Sequence, residues 1–178
     1  SYAGSASQHA LRLDLANVDQ VQRYDHQLNN CWSQLAERSL DDTAQKFLGL
    51  PSKQSGVGAQ YASDRRCAAY FASWSAAAET VTDLRCSTTA DALDKLQIVS
   101  SKLEVAKQGL LALGVRFAPG ATLANSLIHP IPQGLLMASV QKNKKAATLQ
   151  PLPLHQQAEV QGAGRPGSSG FLAFPSEP

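Results

Sequence analysis

The side chains that could do chemistry are few and scattered. The histidines are His9, His26, His129 and His155, and none belongs to the His-Glu-x-x-His spacing of a zinc-hydrolase helix. The cysteines are Cys31, Cys67 and Cys86, with no Cys-x-x-Cys pair to hold zinc or to cycle between dithiol and disulfide. A Cys-His nucleophile would have to join Cys31 to His26. Five residues apart on a helix, these project about 140° away from each other, so His26 reads as a solvated polar-face residue. Asp41 and Asp42 stand at a helix start, where capping and the helix dipole account for both without an acid-base role. Gly56-Val57-Gly58 precedes a helix, where free amides attract anions, but no Lys-Ser or Lys-Thr follows and no strand precedes it. It reads as a flexible connector. The residues predict a non-enzyme with no cofactor and no metal.

Aromatic residues are the remaining candidates. Tyr61, Tyr70, Phe71 and Trp74 crowd one stretch. Phe71 and Trp74 share its apolar stripe and read as core, whereas Tyr70 lies off that stripe and is a candidate for binding a partner. Trp32 stands in a similar position beside the stripe of an earlier helix.

The elements that must position these residues follow from periodicity. Leu11, Leu15, Val18, Val21, Tyr24, Leu28, Cys31 and Leu35 recur at spacings of three and four, predicting one long helix from Leu11 to Arg38. Ser39 and Asp42 have capping-box spacing for a short helix ending near Leu48, where Gly49 and Pro51 are stop signals. Pro51 to Gly58 reads as a loop. A second long helix is expected from Ala59 to Arg85, with Cys67, Phe71, Trp74, Ala78 and Val81 on one face. After a break at Cys86 to Thr89, Thr88 and Asp91 have capping-box spacing again. Leu93, Leu96, Val99, Leu103, Ala106, Leu110 and Leu113 line a third long helix, which Gly114 is placed to end in a left-handed cap. Weaker patterns predict short helices from Ala121 to Ile128 and from Pro132 to near Ala147. The expected fold is all-α: an up-down helical bundle of three long helices plus one or two short ones over residues 1–148. Residues 149–178, rich in proline and glycine, read as an extended tail that is disordered alone and ordered by partners. Phe171, Leu172 and Phe174 form its one large apolar cluster and are its candidate anchors.

Folding the first two long helices back on each other gives the cysteines a meaning. Cys31 lies seven residues before Arg38 and Cys67 eight after Ala59, so antiparallel packing brings the thiols level and predicts a Cys31–Cys67 disulfide worth about 3–4 kcal/mol. Cys67 and Cys86 are separated by about 28 Å of helix and cannot bond. That leaves Cys86 unpaired or facing another chain.

Composition restricts the partners. A net charge of +2 over 178 residues is too small to imply a polyanion, and clusters such as Lys142, Lys144 and Lys145 are short, so nucleic acid is not expected. No apolar run approaches the length of a membrane span. Much of the 43% apolar content is alanine, its commonest residue, and only 6% of residues are aromatic, so helices should approach closely around a thin core. The chain begins at Ser1 without a methionine; removal of a targeting peptide is the expectation, with residence outside the cytosol, either exported or organellar. Two function classes fit. One is a noncatalytic structural or accessory subunit that binds other protein subunits of a larger assembly through its helical surface and tail. The other is an exported helical binding module, such as an inhibitor, immunity protein or chaperone-like factor, supported by the disulfide geometry.

Overall fold

The computed structural model describes residues 11–12, 14–51, 54, 56–85, 97–128 and 131–163. Its regular elements are all helical: α1 (Val18–Leu35), α2 (Asp42–Gly49), α3 (Ala62–Arg85), α4 (Gln97–Ala112), α5 (Leu123–Ile128), α6 (Gln133–Leu149) and α7 (Leu154–Ala163). No strand occurs among the described residues. The chain divides into two compact units. One takes the described residues of Ser1–Arg23 and Ala62–Val140, the other those of Tyr24–Tyr61 and Gln141–Pro178.

The core of the first unit is built chiefly by α3 and α4. Phe71, Leu103, Ala106 and Leu110 are fully buried, and Leu127, Leu136 and Val140 join them from α5 and α6. Phe117 meets Phe71 edge to face at 5.4 Å between ring centroids, a favoured arrangement of the two ring quadrupoles. Small residues let α4 come close: a Cβ at Gly109 would lie 2.5 Å from the Cys67 Sγ, so the absence of a side chain there makes room for the thiol. Gly114 ends α4 as its position predicts. Its φ is 80°, its amide donates to Leu111 and the Val115 amide donates to Leu110, the paired bonds of a Schellman cap. Ahead of α1, the segment carrying Arg12 and Asp14 is strapped down by polar contacts. The Arg12 guanidinium donates to Gln133 Oε1 at 2.9 and 3.2 Å, and Ser73 Oγ donates to the Arg12 carbonyl at 2.7 Å.

In the second unit Leu48 and Leu50 are buried. Asp41 caps α2, its carboxylate accepting from the Ala44 amide at 2.6 Å. The loop that follows is tied rather than loose: the Gly58 amide donates to the Leu50 carbonyl and the Ala59 amide to the Leu48 carbonyl, both at 2.8 Å. Gly56 is buried against Leu50, where a Cβ would fall 2.0 Å from the carbonyl oxygen. A hydrogen-bonded loop therefore replaces the expected flexible connector, and because residues 58–61 fold back toward α2, the next helix starts at Ala62 rather than Ala59.

Two further boundaries move for local reasons. The expected helix from Leu11 is interrupted, because Asn17 Oδ1 accepts from the Asp19 amide at 2.9 Å and its carbonyl accepts from Val21. A side chain that satisfies the first free amides starts a helix at that point. At the other end, the Glu37 and Arg38 amides donate back to Gln34 and Ser33, with Glu37 in the left-handed region at φ 53°. Within the segment expected to be extended, residues 154–163 are helical, α7 beginning directly after Pro153, where a proline suits a helix start. The expected Thr88 and Asp91 capping box and the start of the third helix lie outside the described residues.

Candidate functional site

The candidate disulfide does not form. Cys31 and Cys67 are both free, Cys31 exposed and Cys67 buried. The reason lies in which helix meets which: Cys67 faces Gly109 of α4, while Cys31 sits on a solvent-facing side of α1. Matched heights along two helices do not decide which faces turn inward. Burial pushes the Cys67 thiol up, opposed by the neighbouring Arg66 charge, so it is a protonated packing group rather than a nucleophile. Cys86 lies outside the described residues.

Tyr70, the candidate for a partner contact, is 2% exposed. Its ring stands 6.4 Å from Trp74 at a tilt of 58°, and desolvation raises its phenol, partly offset by the Lys102 charge. Tyr70 is thus core, together with Phe71. The other anchors proposed from sequence, Phe171, Leu172 and Phe174, lie outside the described residues.

The polar groups that the fold gathers are spent on structure. In the first unit Lys102 and Asp14 form an exposed ion pair at 2.5 Å, whose hydrogen bond holds the carboxyl below and the ammonium above their ordinary ranges. Lys107 is buried, donating to the Ala121 carbonyl at 2.7 Å and lying 5.7 Å from the Phe117 ring centre. In the second unit a chain of bonds runs from Tyr61. Its hydroxyl donates to Asn29 Oδ1 at 2.5 Å, Asn29 Nδ2 donates to Gln45 Oε1 at 2.9 Å, and Gln45 Nε2 donates to the Leu40 carbonyl at 2.9 Å. Lys144 covers the Tyr61 ring at 5.2 Å, a cation over a π face. Sequence reading missed this network because Asn29 and Tyr61 are 32 residues apart and no local pattern connects them. Among the described residues, no three His, Cys, Asp or Glu side chains gather where a metal could be held. No helix among them is long and apolar enough to cross a membrane.

What remains is a surface. On α1, Tyr24, Leu28, Cys31 and Leu35 follow one another at spacings of four, three and four and fall within about 60° of arc. Leu35 is 76% exposed and Tyr24 38%; Cys31 is exposed and Leu28 half-buried. Exposed Gln27 and Gln34 flank them on one side, so the strip carries no charge. Periodicity found this stripe but assigned it to the core; the same spacing serves a buried face and a docking face equally. On α7, Leu154 is 83% exposed. Comparison with protein-family models, with curated proteins and with solved structures finds no match.

Proposed function

We propose that the protein is a noncatalytic structural or accessory subunit of a larger macromolecular assembly, a helical scaffold whose surface and C-terminal segment bind neighbouring protein subunits. The observation that carries this reading is the uncovered apolar surface of the second unit, above all the Tyr24 to Leu35 face of α1, with Leu154 of α7 in addition. Single exposed leucines are ordinary, whereas apolar side chains aligned on one helix face mark an interaction surface. Support also comes from the polar groups, since Tyr61, Asn29, Gln45, Lys102 and Lys107 are engaged in bonds that hold the fold. The alternative of an exported binding module drew on the Cys31–Cys67 bond, and both thiols are free.

Sedimentation of extracts from the native source tests the proposal. The protein is expected in a particle far heavier than 18.9 kDa. A chain ending at Ala163, which lacks Phe171, Leu172 and Phe174, and a separate Leu154→Glu variant are expected to leave that particle. Migration of the intact protein as a free monomer would falsify the reading.

A further inference from the structure

The segment ahead of α1 is held to its unit by two leucines and by polar contacts at the surface. Leu11 is buried in a small cluster with Val21, Ala62 and Ala69, against which Ala16 packs. Leu15 packs against the larger core that contains Tyr70. Among the described residues its polar fastenings are all exposed: Asp14 to Lys102 of α4, Arg12 to Gln133 of α6, and Ser73 of α3 to the Arg12 carbonyl. We propose that residues 11–16 are a releasable strap lying over α3 at Tyr70 and Ser73, with the Asp14–Lys102 ion pair as its latch. The strap lies wholly within the first unit, so it acts whether or not the protein enters an assembly.

Placement, hinge and strength of attachment agree. Ser73 Oγ lies 2.7 Å from the Arg12 carbonyl oxygen and 2.9 Å from that of Tyr70, so one hydroxyl is shared between strap and helix at this point. The Asp14–Lys102 pair lies close enough for both charges to act on the Tyr70 phenol, which burial raises, Lys102 lowers and Asp14 raises. Residues 15–17 carry no regular structure, and Asn17 satisfies the Asp19 amide from its own side chain. The strap can therefore lift without unwinding α1. An exposed ion pair is a weak fastening that salt screens, and a segment with few buried contacts opens well before the whole fold does. Tyr70, 2% exposed, and its neighbour Trp74 belong to the residue types that anchor protein contacts, and opening uncovers them. The device is thus a cover over an aromatic face, released by competition for one ion pair.

Nitration of the purified full-length chain with tetranitromethane, followed by peptide mass spectrometry, reads the strap through Tyr70. Tyr24, 38% exposed, should label first and Tyr70 slowly. Raising the salt from about 0.05 M to about 0.5 M should speed Tyr70 about threefold. Asp14→Lys and Lys102→Asp should each speed it about fivefold, and the exchanged pair should return to the wild-type rate. Gln133→Ala, which changes no charge and frees the Arg12 end, should act in the same direction. Cys67 lies in the same unit against Gly109 of α4, and its alkylation by iodoacetamide in parallel samples should stay slow throughout. The two charge reversals also distinguish a lifting strap from a direct effect of charge on the phenol. With the strap fixed, Asp14→Lys would speed nitration and Lys102→Asp would slow it, because these charges pull the phenol in opposite directions. Opposite effects of that kind overturn the proposal. So does a Tyr70 rate indifferent to salt and to every variant, or an exchanged pair that fails to rescue. Acceleration of Cys67 together with Tyr70 overturns it as well, since the whole unit would then be loosening.

Discussion

Cys67 and Gly109 show how a single pair of residues sets the approach of two helices. With the thiol Sγ only 2.5 Å from where a Cβ would be built on Gly109, Gly109→Ala forces one of them to move. Overpacking of this kind costs about 1–3 kcal/mol, against about 1 kcal/mol gained by replacing a mid-helix glycine with alanine. The single variant should be destabilised by about 1 kcal/mol on urea denaturation. In a Cys67→Ala background the obstacle is gone and the substitution should stabilise, leaving only the propensity gain; the same sign in both backgrounds would refute the packing account. The two thiols should also separate chemically. Cys31 is exposed and should react with iodoacetamide in the folded protein, whereas Cys67, buried and held protonated beyond the ordinary thiol range, should react only in denaturant. Peptide mass spectrometry of timed samples reads this directly, and early labelling of Cys67 would contradict its placement. That both cysteines lie on helices was legible from spacing. Which of them faced inward was not, because a stripe of apolar residues is equally consistent with core and with interface.

Helix ends and the bonds between elements carry the next layer. Gly114 announced its left-handed cap in the sequence, because glycine pays no Cβ penalty there. Glu37 fills the matching position after α1 without that freedom, at φ 53°. Glu37→Gly should therefore raise stability by about 1 kcal/mol, measured as a shift of the denaturation midpoint at constant slope; a loss of stability would show that the carboxylate makes a contact worth more than the strain. Tyr61 joins its linker to α1 by its hydroxyl and to α6 by its ring. Tyr61→Phe keeps the ring under Lys144 and deletes only the donor, leaving Asn29 Oδ1 half-buried without it, which should cost about 1–2 kcal/mol. Equal stability of Tyr61→Phe and the wild type would mean that water replaces the bond. The existence of most helices was readable from the sequence because periodicity and caps are local. The start of α1 at Val18 turned on one asparagine, and α7 followed a proline-rich run whose composition alone argued for extended chain.

At the scale of the whole molecule, composition foretold the helical class, since alanine-rich stripes with few aromatics allow helices to pack closely but offer little to a sheet. The division into two units was not legible. Two of its three boundaries fall within continuous helices, after Arg23 in α1 and after Val140 in α6, where periodicity runs on without a break, and only the third, between Tyr61 and Ala62, coincides with a helix start. Charge is the property that the sequence does fix for the molecule as a whole, at +2. The one lysine cluster is further reduced in reach: Lys144, between Lys142 and Lys145, is half-buried with its ammonium over Tyr61. A polyanion needs several cations on one face, each phosphate neutralised adding about 0.9 to the slope of log affinity against log salt. The full-length protein should therefore pass through a heparin column at about 0.15 M salt, and any residual duplex DNA binding at lower salt should show a slope of at most about two. Elution from heparin only at several times that salt, or a steeper slope, would mean that the fold or a second copy assembles a basic surface that net charge does not reveal.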